Sequence, residues 1–164
     1  HQQHQDIIIK PLDGMGGMGV FRVKADGLNL ASIVETLGEN GGKALMVQKF
    51  IPEIIDGDKR VLLIDGEPVP YSLARIPQGG EVRGNLAAGG KGVAQKLTSK
   101  EFDVAHQIGS QLAKRGLHLV GLDFIGGYLT EINVTSPTCF VEITNQTGHD
   151  VAAQWLKSLE KKLN

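Results

Sequence analysis

The chain has 164 residues, 41% of them apolar, which suits one domain or two small ones with a genuine core. Its 17 basic side chains stand against 18 acidic ones for a net charge of -1, so the clustered basic excess of a nucleic-acid binder is missing. No apolar run approaches the ~18 residues of a membrane span, HQQHQDIII lacks the pattern of a secretory signal, and the lone Cys139 permits no internal disulfide, which points to a reducing cytoplasm.

Asp6–Lys10 (DIIIK) reads as a short strand stopped by Pro11. A turn-rich loop, Leu12–Gly17, leads to the alternating Gly19–Lys24 (GVFRVK), so the two strands predict a glycine-tipped hairpin. Leu30, Ile33, Val34 and Leu37 recur at helical spacing within Asn29–Glu39, and Gly41 and Gly42 supply the stop. Leu45–Ile51 is a strand ended by Pro52; Lys59–Asp65 and Val69–Arg75 form a hairpin around Gly66, Glu67 and Pro68. Thr98 and Glu101 match a capping box, in which a hydroxyl and a carboxylate satisfy free amides at a helix start, and that helix should reach about Arg115. Leu119–Ile125 and Leu129–Val134 are strands around Gly126 and Gly127, and Val151–Leu163 carries Val151, Trp155, Leu156 and Leu159 on one helical face. Antiparallel pairs with interspersed helices predict an α+β fold. The one domain-level break falls near Phe50–Gly57, giving expected units of 1–51 and 52–164. A strand stands almost at the first residue with nothing ahead to pair with it, as expected for the second part of a longer protein.

Six glycines fall between Ile76 and Gly92, bracketed by Arg75 and Lys91. A structureless stretch of that length inside a compact domain is a lid or a linker. Arg83 and Asn85 at its middle, and strand patterns before it, favour a flap that brings cationic groups over an anionic ligand.

Three clusters carry chemistry. Lys10 and the loop Gly14, Met15, Gly16, Gly17 could present backbone amides and a point charge to a phosphate, or be a flexible turn; no Gly-Lys-Ser/Thr follows, so this is no Walker loop. Asp123, Glu131 and Asn133 form an all-oxygen set suited to a hard cation such as Mg2+, or polar residues on the solvent face of a hairpin. A plain two-residue Gly126-Gly127 loop sets Asp123 opposite Thr130, on the wrong face for Glu131. A shared metal therefore predicts an odd register, from a three-residue loop such as Gly126–Tyr128 or from a bulge. Arg60 and Arg75 lie near the outer ends of one hairpin, where two guanidinium groups repel unless anions sit between them; pairing with Asp56 and Asp58 is the plainer alternative. The five histidines show no ligand spacing, and Cys139 reads as a small buried hydrophobe.

The strings DIIIKPLDGMGG, DGDKRVLLIDGEPVPYSLARIPQGGEVRGNLAAGG and VGLDFIGGYLTEINVTSPT closely resemble bacterial-type glutathione synthetase, a member of the ATP-grasp superfamily. The resemblance implies an ATP-grasp fold, with residues 1–51 part of the central lobe and 52–164 the C-terminal lobe. It implies ATP-dependent joining of γ-glutamylcysteine to glycine through an acyl phosphate, with Mg2+ or Mn2+, in a cytoplasmic homo-oligomer. By the same resemblance Lys10 and Gly14, Met15, Gly16 and Gly17 would hold ATP phosphates, Gln48, Lys49, Phe50 and Ile51 would meet the adenine edge, and Asp58 would sit near the ribose. Lys49 and Phe50 depart modestly from the family pattern. Arg60 would steady the acyl phosphate, Arg75 and Arg83 would hold substrate carboxylates and close the flap, Ser136 and Thr138 would orient substrate, and Asp123, Glu131 and Asn133 would bind the metal. The family's N-terminal substrate domain and a further ATP-binding lysine have no counterpart in the sequence. Another ATP-grasp peptide ligase, or a fragment that binds nucleotide without turnover, remains the alternative.

Overall fold

The computed structural model describes residues 1–79, 84 and 89–163. The chain divides into two compact units, His1–Pro52 and Glu53–Asn164.

The first unit is a three-stranded antiparallel sheet in the order β2-β1-β3, built from β1 (Ile7–Pro11), β2 (Phe21–Val23) and β3 (Leu45–Lys49), with one helix, α1 (Leu30–Leu37). Alternation along β1 buries Ile7 and Ile9 on one face together with Val23, and Leu30, Ile33 and Leu37 of α1 close over them. Helical spacing thus found three residues of the covered face, while Val34, placed on it with them, is exposed. The second strand is shorter than its sequence pattern; at its start Gly19 takes a φ of +72° beside Pro11, outside the strand conformation.

The second unit is a five-stranded antiparallel sheet in the order β6-β5-β4-β7-β8. Its strands are β4 (Asp58–Ile64), β5 (Glu67–Ile76), β6 (Lys91–Lys96), β7 (Leu119–Ile125) and β8 (Tyr128–Asn133); its helices are α2 (Ser99–Lys114), α3 (Phe140–Thr147) and α4 (Val151–Leu163). Both faces of the sheet are covered, which explains the nearly continuous apolar run of β4. Val61 and Leu63 pack with Val120, Leu122 and Phe124 on the face that carries Ala105 of α2. Leu62 and Ile64 pack with Leu73 on the other face, against Ile143 of α3 and Val151 of α4. Fully burying one such side chain stabilises by roughly 1.5–3 kcal/mol.

The capping box forms as its sequence specifies. Glu101 N–H donates to Thr98 Oγ1 at 3.2 Å, and Thr98 N–H donates to Glu101 Oε2 at 2.9 Å. Lys59 Nζ reaches Glu101 Oε1 at 2.9 Å, pinning the start of α2 to β4.

Two elements escape the sequence reading. Lys91–Lys96 is an edge strand, so the segment expected to be structureless from Ile76 to Gly92 is bounded by strand residues at both ends: Ile76 closes β5, and Lys91 and Gly92 open β6. Its residues 80–83 and 85–88 lie outside the described set. The helix α3 follows a Cys139 with φ +92° and ends on Gly148 with φ +74°, whose N–H donates to Thr144 O.

Candidate active site

Four strands of the second unit each place two residues, two apart, on the same sheet face: Asp58 and Arg60 on β4, Leu73 and Arg75 on β5, Gly121 and Asp123 on β7, Glu131 and Asn133 on β8. Asp58 pairs in register with Arg75, Arg60 with Asp123, and Asp123 with Glu131. This face also carries Leu62 and Ile64, so the charged cluster is the polar end of an otherwise apolar layer.

The register of the β7–β8 hairpin is the odd one that a shared site requires, reached by a bulge. The turn is a plain two-residue Gly126-Gly127, since Ile125 faces Tyr128 and Phe124 faces Leu129. The register then shifts between Asp123 and Phe124, so Asp123 faces Glu131 and Thr130 is the extra residue. Thr130 Oγ1 donates to Asp123 O at 3.1 Å. The three-residue loop Gly126–Tyr128 is therefore not the device used.

Asp123 is the hub. Its side chain is almost wholly buried, and Arg60 grips it with both Nε and Nη2, the latter 3.0 Å from Oδ2. Arg75 Nη2 lies 3.0 Å from the same Oδ2, and Asn133 Nδ2 donates to it at 3.1 Å. Arg75 Nη2 also pairs with Asp58 Oδ2, and its Nε donates to Asp58 O at 3.3 Å. The anion that two adjacent arginines need is thus Asp123, with Asp58 on the outer side. The plainer alternative, two surface arginines paired with Asp56 and Asp58, is met only in the Arg75–Asp58 pair: Arg60 takes Asp123, and both arginines are buried.

Burial pushes the Asp123 carboxyl up, but the Arg60 hydrogen bond and the Arg75 charge outweigh it and hold the group below its ordinary value. Burial, and then the Asp123 charge, push Asp58 up to about 7 despite Arg75; Glu131 adds to that rise, so its carboxylate is close enough to be felt. Asp58 Oδ1 is buried without a hydrogen-bond partner. Burial opposes the charge on Arg75, and Asp123 and Asp58 restore it to above the ordinary arginine value.

Gly121 explains how Arg60 lies flat over β7. A Cβ there would come within 2.9 Å of both Arg60 Cδ and Pro137 Cβ. Pro137, Thr138 and Cys139 line an open cleft of about 420 Å³ with Leu119 and Phe140. Thr138 and Ser136 are exposed. Cys139 is buried, and burial raises its thiol pKa against the opposing effects of Thr138, Arg60 and Arg75, the signature of an inert core thiol. Sequence reasoning missed Gly121; a glycine within an apolar strand is the signal that could have found it. Arg83 lies outside the described residues.

The donor set of Asp123, Glu131 and Asn133 fits a hard divalent cation by chemistry and by shared face. Asp123's two oxygens are engaged by arginines and Asn133. Among the described residues no group of three His, Cys, Asp or Glu side chains forms a metal cage.

In the first unit, Lys10 lies on β1, mostly buried and paired in register with Met46. Gly16 and Gly17 in the β1–β2 connection have φ values of +65° and +75°, Gly14 lies against Pro11, and Met15 projects into solvent. Gln48 and Lys49 end β3 opposite Ile8 and Ile7, and Phe50 and Ile51 follow. Phe50 N–H donates to Asp6 O at 2.9 Å, and the Arg22 guanidinium, held at Nε and Nη2 by Asp6, stacks 3.5 Å from the Phe50 ring centroid.

The model of the prokaryotic glutathione synthetase ATP-grasp domain matches residues 1–148. The chain belongs to that family. Glutathione synthetase of Ralstonia nicotianae is 60% identical over 161 residues, covering 98% of this chain and 50% of the relative. Glutathione synthetase of Shewanella oneidensis is 58% identical over 163 residues, covering 99% and 52% respectively. The chain thus spans about half the length of the curated relatives it matches. Among solved structures, the D-cycloserine synthetase DcsG superposes with a TM-score of 0.76 at 16% identity, over 99% of this chain and 57% of that one. The ATP-grasp ligase PsnB, complexed with minimal precursor, Mg and ADP, superposes at 0.63 and 18% identity, over 100% and 48%. The fold of this glutathione synthetase family member is therefore the α+β ATP-grasp fold. None of its described helices is long and apolar enough to cross a membrane.

Proposed function

We propose that this chain is the ATP-grasp portion of a ligase that joins γ-glutamylcysteine to glycine at the expense of ATP, through an acyl phosphate. The observation that carries the reading is about 60% identity to glutathione synthetases along nearly the whole chain, together with the charged end of the β4–β5–β7–β8 face. Turning a carboxylate into an acyl phosphate needs cations where phosphoryl oxygens gain charge. Arg60 and Arg75 are two such cations, both already desolvated and held at fixed spacing by Asp123.

In this reading Arg60 steadies the oxygens of the acyl phosphate, and Arg75 orients the substrate carboxylate together with Ser136 and Thr138. Asp123, Glu131 and Asn133 would hold Mg2+, which when bound neutralises triphosphate charge. Lys10 and Gly14 to Gly17 would hold phosphates, Gln48 to Ile51 the adenine edge, and Asp58 the ribose. Arg83 would cover the intermediate against water.

The test is product analysis on the intact protein. With γ-glutamylcysteine, glycine and Mg-ATP, one phosphate and one tripeptide should appear per ATP consumed. Turnover with other acid and amine pairs, and none with this one, would assign the chain to a different ATP-grasp ligase. A folded protein that binds Mg-ATP and releases no phosphate with any pair would mark it as a binding module.

A further inference from the structure

The strand β6 is an edge of the larger sheet, and an edge strand presents a row of N–H and C=O groups with no partner strand. Two of those groups on β6 are taken by one side chain, Gln146 in the last turn of α3. Ala94 N–H donates to Gln146 Oε1 at 2.8 Å, and Gln146 Nε2 donates to Gly92 O at 3.2 Å. A carbonyl and the N–H two residues further on are the pair that one residue of a neighbouring parallel strand engages. The carboxamide therefore stands in for a sixth strand.

The place where this clamp acts is specific. Gly92 is the register partner of Arg75, and Ala94 is the partner of Leu73. Leu73 is fully buried in the same layer as Cys139 and Ile143. The far end of α3 starts at Cys139, whose thiol feels the charges of Arg60 and Arg75. One short helix thus packs into the layer of Leu73 at its start and grips the strand that backs Arg75 at its end. The helix end is itself fixed: Thr147 Oγ1 donates to Ile143 O at 2.7 Å, and Gly148 N–H donates to Thr144 O.

We propose that Gln146 is a positioning residue for Arg75. By holding β6 at Gly92 and Ala94 it keeps β5 in the register that carries the Arg75 guanidinium across β4 to Asp123. The consequence for turnover rests on the ligase reading given above; the consequence for Arg75 does not.

The test uses Gln146→Met, which keeps the length and removes the amide, and Gln146→Glu, which keeps the acceptor for Ala94 but sets a carboxylate oxygen against the Gly92 carbonyl. Three quantities are read on the intact protein: hydrogen exchange at the Ala94 amide, the nuclear magnetic resonance signal of Arg75 Nε–H, and kcat and KM for ATP. In Gln146→Met the Ala94 amide should exchange about five-fold faster, as for one lost hydrogen bond. The Arg75 Nε–H signal should shift and broaden, and kcat should fall roughly ten-fold, the scale of a modest misplacement of a reacting group, with KM for ATP within about two-fold. Gln146→Glu should lie between the wild type and Gln146→Met. Unchanged Ala94 exchange overturns the clamp. Faster Ala94 exchange with an unchanged Arg75 signal reduces Gln146 to a cover for the sheet edge and overturns the proposal. If the wild type makes no peptide bond from γ-glutamylcysteine and glycine, the ligase reading fails by itself, and the Arg75 signal alone decides whether Gln146 positions it.

Discussion

Arg75 Nη2 lies 3.0 Å from Asp123 Oδ2 although their strands do not touch. β5 and β7 flank β4 on either side, so the guanidinium crosses the central strand to reach its partner. Arg60, on β4 itself, fills the space between them and holds the same carboxylate. One buried anion therefore fixes two buried cations, and removing it has a consequence that can be measured.

Asp123→Asn leaves two guanidinium groups side by side without the buried carboxylate that both of them hold. Breaking a buried pair from one side costs about 3–5 kcal/mol. Urea unfolding should show a loss of that order. A change below about 1 kcal/mol, the scale of an exposed pair, would show that the cluster is solvated and the stated burial wrong.

The raised pKa of Asp58 makes stability depend on pH in a definite direction. Its folded value of about 7 exceeds the ordinary 3.8, so the folded state holds a proton that the unfolded state releases. The contribution is fully present below about pH 4 and is lost as pH rises to about 7. Asp123, held below 3.8, acts oppositely, and its contribution is lost only in stronger acid. The wild type should therefore lose stability between pH 5 and pH 7.5 relative to Asp58→Asn, whose profile should be flatter across that window. Parallel profiles for the two proteins would assign Asp58 an ordinary pKa.

Glu131 is only partly buried, so Glu131→Gln should fold and melt nearly as the wild type does. If it ligates Mg2+, turnover of the intact protein should fall by at least about 10²-fold, the scale of losing one transition-state charge contact. A near-normal rate would take Glu131 out of the site.

Gly109 on α2 packs directly against the Gly66 carbonyl of the β4–β5 turn, and a Cβ there would overlap that oxygen. Helix propensity alone predicts that Gly109→Ala stabilises by about 1 kcal/mol. The packing predicts destabilisation by about 1–3 kcal/mol. Thermal melting reads the sign directly.

Much of this was legible before the fold was known. The capping box at Thr98 and Glu101 and the helical face of Leu30, Ile33 and Leu37 follow from spacing and local chemistry; the odd register between Asp123 and Glu131 came only from supposing that they share a metal, since spacing alone set Asp123 opposite Thr130. The device behind that register was not legible, because a bulge at Thr130 costs nothing visible in a sequence that also allows a longer turn. β6 escaped because KGVAQK adjoins a glycine-rich stretch and its pairing to β5 is a long-range choice. The helix α3 escaped because two threonines and an asparagine dilute its pattern, although Phe140 and Ile143 with Gly148 as terminator were available signals. The burial of Arg60 and Arg75 is a product of long-range packing, and no local pattern records that.

The central claim is that Asp123, Glu131 and Asn133 gather a divalent ion. Electron paramagnetic resonance of Mn2+, titrated into the intact protein in the presence of ADP, tests it most directly. The free-ion signal should be suppressed up to one or two equivalents by the wild type, as for a one- or two-metal nucleotide site, and should return with Glu131→Gln and with Asn133→Ala. Equal suppression by the wild type and both variants would place the ion elsewhere and contradict the account.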